Sequence, residues 1–409
     1  MWLPRSGGMP KIMHDPCTIA DHHGADRLEL HSREQVARLL VECSRANPDL
    51  EVLNALLQGD VDWVHFLEQA KRHSIAPMLY WCLSRMRADV APAEIFEQLL
   101  LSTRTCTLQN LRHAAALHRV LAAFETRGID VLAFKGPVSA WSLYTDPGLR
   151  HMADLDLLVR PRDAARAVGM LIELGCKPAD PAPATALGLY RLGNERAFAT
   201  PDEVEIDLHW QFSQIQFERW FDVDSVWNRR TYVPIAGRLV PTLGREDQLR
   251  HLCMHAAKHG WFKLRDLSDL ARLIALGVDC DAALSEAARS GGLRTLLLGL
   301  GLIRDVLGEI LPAHLNERIA AEPGVNKLLA SAKSNLLAKS VPADLPIQFC
   351  QRQWSLLERV VDRARLCWGL IQPNARDWEW CPLPAALHLA YFFLKPLRLA
   401  VRYAILARL

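Results

Sequence analysis

The chain has 409 residues, half of them hydrophobic and 23% charged, with a formal net charge of +2. That composition excludes a disordered protein, and the balanced charge gives no broad electrostatic reason to expect a nucleic-acid binder. Ten cysteines stand singly with no C-x-x-C pair, which reads as reduced, mostly buried thiols of a cytoplasmic protein.

Residues 1–32 lack the continuous apolar core of a signal peptide and are expected to form a loose N-terminal tail. From 33 to 127 the pattern is helical. In "VDWVHFLEQAKRH", Trp63, Phe66, Leu67 and Ala70 recur at i, i+3, i+4 and i+7, one buried helical face. "TLQNLRHAAALHRVLAAFETRG" is a second amphipathic helix, stopped at Gly128. Its His113 and His118 are five apart and point to different faces, so they read as surface or half-buried polar residues and not as a shared metal site.

The period changes over 128–212. "IDVLAF" (129–134) is a strand, and "KGPVSAWSLYTD" turns at Gly136 into a helix with Pro137 at its first position. "MADLDLLV" (152–159) is a second strand, followed by a helix ended by Gly175 and a Pro/Ala-rich loop over 178–188. "ERAFAT" (195–200) and "VEIDLHWQF" (204–212) are two further strands separated by the turn signal "PDE". From about 241 the pattern returns to helix. The fold class is therefore α+β: a small mixed sheet over 128–212 between helical regions at 33–127 and 213–409.

Chemistry concentrates in the strands. Side chains alternate across a strand, so Asp154 and Asp156 share one face while Leu155 and Leu157 take the other. An ionised carboxylate among apolar residues is costly unless a cation meets it, and a paired set of carboxylates suits Mg²⁺, with Mn²⁺ as the alternate ion. Asp207 shares a face with Glu205 and His209. If the two strands are neighbours, three carboxylates converge in an arrangement suited to two-metal phosphoryl transfer. Upstream, the strand–"KGP"–helix element presents backbone N–H groups for phosphate, with Lys135 as an added charge.

"FKGPVSAWSLYTDPGLRHMADLDLLV" followed by "EIDLHW" resembles the polymerase-β-like nucleotidyltransferase superfamily. More closely it is similar to the little-characterised bacterial branch known simply as nucleotidyltransferase family proteins, over roughly residues 50–280. The resemblance implies that Gly136 belongs to the phosphate-binding turn, Asp154 and Asp156 to the metal pair, and Asp207 to the third carboxylate. It departs at Pro137, where the superfamily usually has Gly or Ser. Proline removes an N–H donor, so phosphate binding would lean on Gly136, later amides, Ser139 or Lys135. Arg150 reads equally as a phosphate clamp or as the partner of an aspartate, and His209 as an orienting group or a core histidine.

The expected activity is Mg²⁺-dependent transfer of a nucleoside monophosphate from an NTP, ATP before the others, to a hydroxyl-type acceptor that the sequence does not identify. The rivals are a D-x-D glycosyltransferase using a nucleotide sugar, and a catalytically degenerate nucleotide- or partner-binding module. His251, His255 and His259 lie on one helix face. Zinc is the less favoured reading there; a polar seam opposite the carboxylates is preferred, with Lys258 and Lys263 as phosphate contacts. In the tail, Lys395, Arg398, Arg402 and Arg408 sit among apolar residues. Weak contact with an anionic membrane surface is weighed there against a packed terminal helix with solvated arginines, and the packed helix is preferred.

Overall fold

The computed structural model describes residues 32–86, 90–179, 194–212, 215–337, 346–373 and 375–406. A five-stranded mixed sheet has the order β1-β2-β5-β4-β3, with β1 Val131–Phe134, β2 Asp154–Val159, β3 Lys177–Pro178, β4 Glu195–Ala199 and β5 Glu205–His209. β1 runs antiparallel to β2, β2 runs parallel to β5, and β4 runs antiparallel to β5. The short β3, at the edge of the predicted Pro/Ala-rich loop, pairs with β4; the rest of that loop from 180 to 188 lies outside the described residues.

One face of the sheet is dry. Leu155, Leu157, Val159, Ile206, Leu208 and Phe198 pack against Leu117, Leu121 and Phe124 of the long helix Ala93–Thr126 and against Val168 and Leu171 of the helix Ala164–Glu173. On the other face Leu132, Phe134 and Leu158 meet an aromatic group that includes Phe212, Phe217, Trp220, Phe221 and Trp227. The alternation of the strand sequences therefore separates two different surroundings.

The helical regions that flank the sheet in sequence share one core. Leu53, Phe66 and Leu79 from the N-terminal side pack in the same cluster as Trp261, Leu267, Leu297 and Leu302 from the C-terminal side. Within 213–409 the sequence reading expected helices, yet β6 (Thr231–Ile235) and β7 (Arg238–Thr242) form a separate hairpin. Ala236 and Gly237 both carry positive φ at its two-residue turn, +44° and +86°, the conformation that matches strand twist.

His113 is buried, with its ring nitrogens at 2.7 Å from Gln109 O and 3.1 Å from Ala153 O, while His118 contacts Ile235 O at 2.9 Å. They do lie on different faces, but His113 is a core residue. No helix is long and apolar enough to cross a membrane among the described residues. In the terminal helix Tyr391–Leu406, Lys395 is buried and donates to Gly369 O at 3.2 Å, and Arg398 pairs with Asp377 at 2.7 Å. Two of the four tail cations are thus spent inside the fold, which corrects the expectation of solvated basic residues; the Arg402 and Arg408 side chains lie outside the described residues.

Candidate active site

In β2 and β5, Asp156 stands in register with Asp207 and Asp154 with Glu205. Neighbours in register share a face, so the parallel pairing of two non-consecutive strands sets these carboxylates side by side. β4 adds Glu195 opposite His209. Arg196 stands beside Leu208, on the face away from Asp207.

The turn from β1 into the helix Gly136–Leu143 is held in a conformation that side chains disfavour. Lys135 has φ +55° and ψ −140°, and Gly136 has φ +29°. A Cβ at Gly136 would stand 2.8 Å from the backbone oxygen of Asp154. Only glycine lets the turn lie this close to the acidic strand. Pro137 occupies the second position of the helix, one later than expected, because Gly136 already opens it. Ser139 is fully buried and does not line the adjoining pocket.

Lys135 Nζ donates to Asp156 Oδ1 at 2.6 Å, and His209 Nε2 lies 3.1 Å from the same oxygen. His209 Nδ1 lies 3.1 Å from Glu195 Oε2. Burial works to raise Asp156, but Lys135 and His209 outweigh it and hold the carboxyl below the usual carboxylate range. Burial likewise pulls His209 down, and its two acidic neighbours prevail, so the imidazole is raised toward the charged form. The His209 contact brings Glu195 down to about 2. Asp207 behaves in the opposite way. Burial, opposed by His209 and reinforced by Asp156 and Asp154, pushes it up to about 6. Asp154 is also raised, by burial first and then by Asp156.

The ligand atoms of Asp156, Asp207 and His209 lie within 4.8 Å of one another. The second carboxylate oxygen of Asp156, Oδ2, is buried and has no hydrogen-bond partner. A buried ionised oxygen without a donor is costly, and a hard cation would meet that need, so the carboxylates of this group fit a divalent metal, with the charged His209 as their hydrogen-bond partner. Asp154 lies on the same face and lines a pocket of about 200 Å³ with Lys135, Gly136, Arg150, His255 and Lys263.

Arg150 lines the pocket and pairs with an aspartate, Asp269 of the helix Leu264–Ala275. Its Nε lies 3.0 Å from both carboxylate oxygens and its Nη2 2.8 Å from Oδ2, while Nη1 donates to Gly136 O at 3.3 Å. Tyr144 donates to the same carboxylate at 2.7 Å. The guanidinium thus ties the glycine turn to the C-terminal helical region. Burial works against the charged form of Arg150, and Asp269 more than offsets it, leaving the guanidinium firmly protonated.

On the helix Arg245–Lys258, His251 packs edge-on against Phe134 at 5.0 Å between ring centroids, whereas His255 lines the pocket. Burial first, then Lys135, holds both imidazoles well below their ordinary value. Among the described residues these histidines belong to no group able to share an ion, so the zinc reading finds no support. Lys258 ends this helix, and Lys263 lines the pocket; burial lowers both ammonium groups.

The sequence reading missed Glu195, Asp269 and Tyr144 as site residues. Glu195 was within reach: a hairpin register across "PDE" places it opposite His209. Asp269 and Tyr144 carry no local signal, because only the packing of distant elements gives them a role.

Residues 59–308 match the model of a family described as uncharacterised nucleotidyltransferase. No curated protein matches. Among solved structures, the antibiotic-resistance factor ANT(2'')-Ia aligns over 44% of this chain and 91% of its own, at 15% identity and a TM-score of 0.33. An antigenic nucleotidyltransferase-like protein from Paracoccidioides brasiliensis aligns over 52% and 93%, at 16% identity and a TM-score of 0.34. At those scores neither likeness carries an argument about this chain.

Proposed function

We propose a specific reaction for this chain, which belongs to the family of uncharacterised nucleotidyltransferases: transfer of a nucleoside monophosphate from an NTP, ATP being the expected donor, to a hydroxyl-type acceptor. The observation that carries the reading is the register of Asp156 with Asp207 beside the strained Lys135–Gly136 turn. Asp154 and Asp156 would hold the nucleotide's divalent cation, with Asp207 beside them completing a second metal position on the acceptor side, and the oxygen donors favour Mg²⁺. Such ions would neutralise triphosphate charge and polarise the acceptor oxygen.

The protein's own groups supply the rest. The glycine turn brings backbone donors toward phosphate oxygens, and Lys135 offers an ammonium at the pocket wall. Arg150 and Asp269 hold the turn in place from the pocket wall. Asp207, ionised above about pH 6, takes the proton from the acceptor hydroxyl. The hydroxyl oxygen then bonds to the α-phosphorus, the bond to the bridging oxygen breaks, and pyrophosphate leaves. A nucleotide-sugar glycosyltransferase would leave Asp207 without a task, and its alignment with Asp156 favours the nucleotidyl reading. The single cysteines suit a reducing, cytoplasmic setting.

Asp156→Asn tests the assignment. It should abolish Mg²⁺-dependent NTP binding in calorimetry and any nucleotide-sized mass gain on an acceptor, with the fold intact by circular dichroism. Unchanged Mg²⁺–NTP affinity would overturn the site.

A further inference from the structure

A second pocket, of about 580 Å³, opens among the C-terminal helices, within the size range of small-molecule sites. Arg294, Lys327, Arg352 and Arg363 line it, with Phe262 and Trp354 as its aromatic walls, and among the described residues no carboxylate lines it. Four cations in one cavity stand out in a chain whose net charge is only +2.

The cations are held in place by the fold. Arg294 Nη1 donates to Ser355 O at 3.1 Å, and its Nε pairs with Glu322 at 3.1 Å, outside the pocket lining. Arg363 Nε donates to Leu357 O at 3.0 Å, and its guanidinium carbon lies 5.2 Å from the Trp354 ring centroid. Lys327 sits in the first turn of the 13-residue helix Val325–Leu337, preceded by Gly324 with φ +86°. Gly324 itself lines the pocket, so the positive end of a helix adds to the side-chain charges. Cavity, cations and helix terminus converge on one spot.

This pocket differs from the carboxylate site. Phe262 faces it while the next residue, Lys263, lines the smaller pocket beside Asp154. Gln353, between the lining residues Arg352 and Trp354, donates to Lys258 O at 3.2 Å, so the segment that lines one site is hydrogen-bonded to the helix that carries His255 of the other.

We propose that this pocket binds an organic phosphate: a phosphomonoester whose charge meets Arg294, Lys327 and Arg363 at the helix terminus and whose ring or apolar body lies on Trp354 and Phe262. Guanidinium groups match phosphate oxygens in paired geometry, and the aromatic walls reward a flat body that a bare anion lacks.

Equilibrium dialysis with phenyl phosphate and with inorganic phosphate, in chelator and without NTP, tests this independently of nucleotidyl transfer. Phenyl phosphate should bind wild type more tightly than inorganic phosphate. Lys327→Ala and Arg363→Ala should each weaken it by about tenfold, the scale of a charge-assisted hydrogen bond. Lys327→Arg should retain binding, and melting temperatures would confirm that each variant folds. Asp156→Asn should have no effect. No binding to wild type, equal binding by both cation variants, or a loss in Asp156→Asn matching theirs would overturn the proposal. Equal affinity for the two probes would overturn the organic half of it.

Discussion

The two faces of the sheet are made by the same strands and differ in almost every physical respect. On one, Leu155, Leu157, Ile206 and Leu208 are buried against helices, contributing on the order of 1.5–3 kcal/mol each by leaving water. On the other, one residue along, Asp154, Asp156, Asp207 and His209 bring charges together at a cost. Lys135 and His209 offset that cost for Asp156, while Asp207 is left raised to about 6. One face stores stability and the other gives some of it up, a division expected of functional sites.

The largest expected effect that breaks this contrast is on turnover. Asp207→Asn should cut transfer by roughly 10²–10⁴-fold, the range of general acid–base catalysis, while NTP affinity is largely kept. Pyrophosphate release and calorimetry on one preparation separate the two quantities. Normal release with a true acceptor present would remove Asp207 from the chemistry.

Leu157→Ala makes the mirror experiment. It should lower stability by about 2–5 kcal/mol, the usual range for a buried leucine, and leave turnover per folded molecule unchanged. A selective loss of turnover at full stability would show that the dry face also shapes the site.

The smallest effect is a gain. A carboxyl raised in the folded state is more readily protonated there, so its stabilising contribution is complete below about pH 4 and lost as pH rises through about 6. At pH 7 in chelator, Asp207→Asn should therefore melt slightly above wild type, and the two should converge near pH 4. Melting curves at the two pH values check this; a lower melting temperature for the variant at pH 7 would mean that the carboxylate supports the fold.

Much of this was legible in the residues themselves. Period-two alternation placed Asp154 and Asp156 on one face of their strand and Asp207 with His209 on one face of theirs, and the K-G-P turn was readable from glycine and proline chemistry alone. Both kinds of signal are local, set by side-chain direction along a strand and by allowed backbone angles. The hairpin at 231–242 was also written locally, in the Ala236–Gly237 turn, and was overlooked. Other features were not legible at all. Nothing in either strand states that β2 and β5 are parallel neighbours with Asp156 against Asp207. Nor does "DPGLR" announce that Arg150 will pair with Asp269, 119 residues away. Those contacts depend on where whole elements settle when the N- and C-terminal helices close around one core. That choice is governed by the summed burial of many apolar side chains, so it leaves no mark at the residues it brings together.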